Sequence, residues 1–300
     1  MDGISMVGLT GELRKDEPMS RHTSWRTGGA ARWHYTPAGV SDLGEFLRRV
    51  PQDTEIVWCG LGSNMLVRDG GFDGVMISTH KGLKKLRQTG SRSIYAEAGV
   101  PGAKLAKFAA KNALCGAEFM VGIPGTIGGA LAMNAGCFGS ETWQVVHHAD
   151  SISRQGETVR RGADQVSWGY RSVEIDDSEW FIGAEFELSP CQTDEGRKKI
   201  RQFLKKRAAT QPVQTANAGS VFRNPKEDFA ARLIETTGLK GYTNGAARVS
   251  PVHANFIENT GHASATDIES LIAHIKERVY EVHGIQLELE VRIIGEGASL

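Results

Sequence analysis

Hydrophobic and polar positions along this chain switch between a period near two and a period near 3.6, and the switches mark short strands among a few helices. EIVWC (55–59) and VMIS (75–78) read as strands joined by the glycine-rich loop GLGSNMLVRDGGFDG, and SIYAEAGV (93–100) as another. In PGAKLAKFAAKNALCG, Pro101 suits a first helical turn, Leu105, Phe108 and Ala109 make one apolar face, and Gly116 predicts the stop. VVHHADSISRQGETVRRG predicts a hairpin turning near Gln155-Gly156, and EWFIGAEFEL a further strand. A new unit starts at SPCQTDEGRKKIRQFLKKRAATQP, where Ile200, Phe203, Leu204 and Ala208 fall at helical spacing. The basic residues crowded around them predict a solvated face, with Arg207 closing the helix near the next motif.

The last sixty residues are the most regular. Thr266-Asp267-Ile268-Glu269 fits a capping box, Ile268, Leu271, Ile272, Ile275, Val279 and Val282 form an apolar stripe, and Gly284 ends the helix. IQLELEVRII (285–294) then alternates, with Gln286, Glu288, Glu290 and Arg292 on the polar face of a predicted strand. That face either meets water or lines a site.

The chain has 300 residues, 40 % hydrophobic and 23 % charged, which is ordinary globular composition. Thirty-five basic residues balance thirty-five acidic ones, so no global field favours nucleic acid, and no uncharged run approaches a membrane span. The first residues lack a signal-peptide pattern, and residues 1–22 read as a loosely ordered arm of a cytoplasmic protein. Cys59, Cys115, Cys137 and Cys191 form no short framework and are expected to be buried thiols. The nine histidines have no metal-ligand spacing, so no metal is expected.

The chemistry concentrates in GIPGTIGGALAMNAG (122–136), fifteen residues with five glycines and no charge. Glycine at this density costs chain entropy, which points to close approach of something to the main chain, a phosphate or a flat cofactor. Gly60-Leu61-Gly62-Ser63-Asn64 resembles the start of a dinucleotide fingerprint, but Met65 stands where the third glycine belongs. A nest of backbone N–H groups or a plain turn remains for this loop. Ser220, between Ala218-Gly219 and Asn224-Pro225, sits in a turn without a nucleophile elbow, and its spacing alone reads as structural.

GSNMLV (62–67), GIPGTIGGALAMNAG (122–136), GYRSV (169–173), AGSVFRNP (218–225), GLKG (238–241), HANFIEN (253–259) and GIQLELEVRIIGE (284–296) together resemble the UDP-N-acetylenolpyruvoylglucosamine reductases. These are flavoenzymes of peptidoglycan precursor synthesis. The resemblance implies an α+β chain: an FAD-binding domain of the vanillyl-alcohol-oxidase (PCMH) type in two subdomains, 23–80 and 81–190, and a C-terminal α+β substrate-binding domain, 191–300. It implies non-covalent FAD held by Gly60, Leu61, Gly62, Ser63, Asn64 and Met65 and by Gly122, Ile123, Pro124, Gly125, Thr126, Gly128, Gly129, Ala130, Asn134, Ala135 and Gly136. In that reading the bare backbone of 122–136 is itself the binding device.

The implied reaction has NADPH as hydride donor to the flavin and UDP-N-acetylglucosamine enolpyruvate as acceptor, giving UDP-N-acetylmuramate. By their match to the family motifs, Arg171 stabilises the enolate, Ser220 donates the proton and Glu290 polarises the site, with Glu288 and Glu296 as alternative carboxylates. Tyr170, Arg207, Asn224 and Lys240 are the implied substrate contacts. Only KEDFAARLIETT separates Asn224-Pro225 from Gly238, so the chain matches the shorter, second type of the family, without the tyrosine-bearing loop of the other branch. The rival readings are another FAD oxidoreductase of the same flavin fold, acting on an alcohol or sugar lactone, and a non-catalytic flavin-binding module.

Overall fold

Leu43, Phe46 and Leu47 on one face of helix α1 (Val40–Arg49) are fully buried against Tyr35, Val75, Ile77, Ile152 and Ile182. The helical spacing of those three residues is what closes this cluster. In the computed structural model, which describes residues 4–298, the cluster belongs to the first of two units. Unit 1 comprises Met1–Lys15, Trp33–Gly60 and Gly74–Lys206; unit 2 comprises Asp16–Arg32, Leu61–Asp73 and Arg207–Leu300.

The frame of unit 1 is a five-stranded antiparallel sheet in the order Thr158–Gly162, Val146–Ser153, Glu179–Glu187, Ser93–Glu97, Leu86–Gln88. The expected hairpin is present, with Gly156 at φ +74° in its turn. Ile94, Ala96, Ala149, Ala184 and Phe186 share a cluster with Leu105, Ala106, Ala109 and Ala110 of α2 (Gly102–Lys111) and Ile127 and Leu131 of α3 (Ile127–Ala132). Strand Ile56–Cys59 pairs in parallel with residues 75–78.

Three expectations are corrected here. Helix α2 stops at Lys111 rather than running to Gly116, because Asn112 caps it, its backbone and side-chain nitrogens both donating to Phe108 O, and Ala113 turns left-handed at φ +55°. The N-terminal arm is not loose among the described residues: Glu12–Pro18 is a strand, and Ile4, Met6 and Leu9 pack on the α1 cluster. Cys115 and Cys191 are not free thiols but a disulfide; strand pairing of Leu114–Cys115 with Ser189–Pro190 brings them together across 76 residues of sequence. Cys59 and Cys137 are in no disulfide, the first buried and the second half-buried.

Helix α4 (Thr193–Thr210) forms as predicted. Ile200 is buried, Phe203 stacks on Phe138 with centroids 4.3 Å apart, and Leu204 and Ala208 are exposed. Arg197, Lys198, Lys199, Arg201, Lys205 and Lys206 are all exposed, the solvated face expected of them, whereas Arg207 is half-buried.

Unit 2 is organised by α5 (Ala230–Thr236) and α6 (Ala265–His283) against an antiparallel sheet of Thr243–Asn244, Ala247–Val249 and Ile257–Asn259. Ile268, Leu271, Ile272, Ile275 and Val279 are buried as the stripe requires, while Val282, in the last turn, is exposed. The N-cap of α6 is Ser264, two residues before the predicted one. Its Oγ accepts Asp267 N at 3.0 Å, and Asp267 Oδ2 in turn accepts Ser264 N at 3.0 Å. Gly284 ends the helix left-handed at φ +66°. Only Arg292–Ile294 of the predicted C-terminal strand is regular, paired in parallel with Met65–Val67. Residues upstream lie beside 221–223 through a single bridge, Phe222 to Leu289.

Candidate active site

Within unit 1 the glycine-rich segment is not one bare loop. A 3-10 turn (Glu118–Gly122) leads through Gly125, at φ +140°, into the short helix α3, so Ile127 to Ala132 are helical. Most of its glycines answer to the protein itself. A Cβ on Gly122 would meet Phe138 at 2.5 Å, on Gly128 it would meet Ala98 Cβ at 2.9 Å, and on Gly136 it would meet Glu141 Cγ at 2.8 Å. Gly129 differs: it is exposed, and a Cβ there would meet nothing within 4 Å. Close approach of a ligand is therefore open at Gly129, whereas close packing explains Gly122, Gly128 and Gly136, and Gly125 answers to its positive φ.

A second observation favours a ligand here. Thr126 Oγ1 is buried and has no hydrogen-bond partner among the described residues. It lies so near Gly60 that a Cβ on that glycine would come within 2.4 Å of it. A dry hydroxyl without a partner costs about 1–3 kcal/mol, which a polar ligand atom would relieve. The residues present fit a flavin nucleotide.

Asn134, expected to face the cofactor, is fully buried with its side chain committed to protein groups. Its Nδ2 donates to Glu141 Oε2 and to Gly169 O, each at 2.9 Å, and its Oδ1 accepts Trp143 N at 3.1 Å. Arg171 stands at the tip of the hairpin that pairs Trp168–Gly169 with Ser172–Val173. Its guanidinium donates to Gly136 O at 3.0 Å and to Asn134 O at 3.4 Å, and lies 5.0 Å from the ring of exposed Tyr170. Ile123, Pro124, Ala130 and Ala135 offer only backbone and apolar atoms along this edge.

Within unit 2 the chain brings Ser220, Glu290 and Asn64 together. Asn217 Oδ1 accepts Gly219 N at 3.0 Å and Gly219 turns left-handed at φ +73°, so Ser220 leaves a turn and enters the segment beside 288–291. Glu290 N donates to Val221 O at 2.8 Å, and Asn64 Nδ2 donates to Glu290 O at 3.0 Å. Burial follows the sequence alternation from 286 to 292 with one exception: Gln286, Glu288 and Arg292 are exposed, and Glu290 is half-buried. Gly62 rests on the backbone of His22 and Thr23, Leu61 is exposed, Ser63 is half-buried, and Met65 is buried in its strand.

Asn255 was not singled out from the sequence. Its Oδ1 accepts Phe222 N at 3.0 Å, its Nδ2 donates to Phe222 O at 2.8 Å, and its carbonyl accepts Val221 N at 2.9 Å, which fixes the extended segment next to Ser220. An asparagine inside the apolar run of HANFIEN is the signal that marks it. Of the expected substrate contacts, exposed Asn224 caps α5 through Oδ1 and Ala230 N at 3.1 Å. Lys240 pairs with Glu235 at 2.9 Å, and Arg207 donates to Gln211 at 3.3 Å. Desolvation by burial holds His253 below the usual imidazole range, and nearby Lys240 adds to the depression.

Comparison with known proteins places this geometry. Residues 35–162 match the family model of an FAD binding domain, and the α+β architecture with its glycine-rich edge defines an FAD-binding oxidoreductase. Residues 211–294 match the model of the UDP-N-acetylenolpyruvoylglucosamine reductase C-terminal domain. The chain is 50 % identical to the UDP-N-acetylenolpyruvoylglucosamine reductase of Methylococcus capsulatus, over 96 % of this chain and 95 % of that one. It is 49 % identical to the enzyme of the same name from Nitrosomonas eutropha, over 98 % and 92 %. The crystal structure of the Thermus caldophilus enzyme superposes with a TM-score of 0.82 at 26 % identity, covering 95 % of this chain and 99 % of that one. The chain belongs to the UDP-N-acetylenolpyruvoylglucosamine reductase family.

Proposed function

We propose that the chain reduces UDP-N-acetylglucosamine enolpyruvate to UDP-N-acetylmuramate with NADPH, in the cytoplasm, and that Arg171, Ser220 and Glu290 carry the chemistry. FAD, when bound, supplies hydride transfer from NADPH to the enolpyruvyl methylene carbon. The chain's own residues handle charge and proton. Arg171 neutralises the enolate that develops beside the substrate carboxylate, a fixed cation where charge appears. Ser220 Oγ delivers the proton to the adjacent carbon; the enolate is basic enough that position outweighs the weak acidity of a hydroxyl. Glu290 polarises that site, and Tyr170, Arg207, Asn224 and Lys240 grip the nucleotide sugar, the guanidinium suiting its diphosphate. For Asn224 and Lys240 this means exchanging a helix cap and an ion pair for substrate. Residues 191–300 form the substrate-binding domain in this reading. No helix among the described residues is long and apolar enough to cross a membrane.

One observation carries the proposal: Glu290 is the polar residue withdrawn from solvent on an otherwise exposed face, and its backbone is bonded to the residue after Ser220. The test is Ser220→Ala, followed by stopped-flow absorbance in the two half-reactions. Bleaching of the flavin by NADPH is expected at the parent rate, with slow turnover and partial recovery in Ser220→Cys. Turnover of Ser220→Ala at the parent rate would leave Ser220 as a turn residue only.

A further inference from the structure

We infer that Asn134 is a positioning residue for Arg171, holding the Trp168–Val173 hairpin against the glycine-rich segment from beneath. The inference rests on the role proposed for Arg171 above. Two non-glycine residues in left-handed backbone, Asn134 at φ +43° and Arg171 at φ +53°, are tied to one another. Such conformations persist only where the surroundings over-determine them. Arg171 sits at the tip of a short hairpin. Its hairpin has two residues on each side, so the turn that aims the guanidinium has little ladder of its own.

Asn134 supplies what the hairpin lacks. Its Nδ2 fixes Gly169 O, the last carbonyl before the turn, while its own carbonyl and that of Gly136 receive the guanidinium. The same amide group is held from the other side by Glu141 Oε2 and by Trp143 N, and Trp143 is locked through Nε1 to Leu131 O at 2.9 Å. The direction of Arg171 is thus set by a buried amide whose three bonds all lie inside unit 1. Asparagine suits the position because it offers a two-proton donor and an acceptor from one planar group, and because it tolerates left-handed backbone better than other residues do.

The experiment uses the full chain with FAD. Asn134→Asp, made together with Glu141→Gln so that no second carboxylate faces it, keeps an oxygen for Trp143 N but removes the donor to Gly169 O. Hydrogen exchange at the amides of 169–172 is expected to quicken about tenfold, the effect of one lost anchoring bond, with strand Val146–Ser153 unchanged. Glu141→Ala, which frees one side of the same amide, is expected to reduce flavin with NADPH within about threefold of the parent and to reoxidise it with substrate about tenfold more slowly. In an Arg171→Ala background Glu141→Ala should cause no further slowing, since the effect passes through Arg171. Unchanged exchange at 169–172, or an equal slowing in the Arg171→Ala background, overturns the inference. If Arg171→Ala alone reoxidises at the parent rate, the role proposed for Arg171 falls, and the exchange measurement still decides whether Asn134 holds the hairpin.

Discussion

Gly128 and Gly129 are neighbours in the same short helix, and replacing each by alanine should give opposite results. At Gly128 the added Cβ lies 2.9 Å from Ala98 Cβ and 3.3 Å from Ala98 O, so the turn that follows strand Ser93–Glu97 and the helix must move apart. Overpacking of that kind costs about 1–3 kcal/mol. At Gly129 the added Cβ meets nothing within 4 Å and the backbone is helical, so alanine should stabilise the apoprotein by up to about 1 kcal/mol through the unfolded chain. The same Cβ stands where FAD is proposed to approach, and there it should weaken FAD binding by about 1–3 kcal/mol, roughly 5-fold to 150-fold. Gly129→Leu should weaken it further. The assay pairs urea unfolding of the apoprotein with titration of FAD followed by flavin fluorescence. A Gly129→Leu protein that binds FAD like the parent would refute the claim that the open space at Gly129 belongs to the cofactor. Loss of apoprotein stability in Gly129→Ala would refute the packing argument separately.

Arg171→Ala should leave flavin bleaching by NADPH nearly intact and slow reoxidation by substrate about 10²–10³-fold, read by stopped-flow absorbance; equal losses in both halves would mean a cofactor or folding defect. Ile275→Ala, at a fully buried position in the unit 2 core, should cost about 2–5 kcal/mol in urea unfolding. Burial keeps the His253 proton affinity below that of the unfolded chain, so the stability it confers is full above about pH 6.5 and falls as the pH drops below that value; His253→Asn should flatten the dependence of the urea midpoint between about pH 7 and pH 5.

Periodicity made the long elements legible. The apolar stripe of α6 and its glycine stop, the hairpin at Gln155-Gly156 and the solvated face of α4 follow from local pattern alone. What escaped depends on partners distant in sequence. Ser264 displaces Thr266 as the cap because Asp69 already accepts Thr266 N and Oγ1, at 2.8 and 2.6 Å. Cys115 and Cys191 meet only because two strands pair across 76 residues. Strict alternation in 285–294 was real as a burial pattern but did not make one strand, since its neighbours are short pieces from elsewhere in the chain. In the candidate site, glycines revealed where the backbone is crowded but not by what; Asn134, expected at the cofactor, is bonded to protein groups, and Asn255 looks like an ordinary polar residue until its partners are known.

The assembly of unit 2 has a consequence for biosynthesis. Trp25, which fills its core and donates to Ile257 O at 2.8 Å, precedes its acceptor by 232 residues. At ribosomal rates of about 5–20 residues per second, that indole waits roughly 10–50 s for its partner. Leu66, in the same core, and the strand Met65–Val67 wait in the same way for Arg292–Ile294. During translation these early apolar pieces have no native home, whereas α1 and its cluster can close soon after residue 182 emerges. A fragment beginning at Arg207 would lack Trp25 and the strand that pairs with its own last residues, so expression of that region alone is expected to yield an aggregation-prone product unless residues 16–32 and 61–73 are supplied with it.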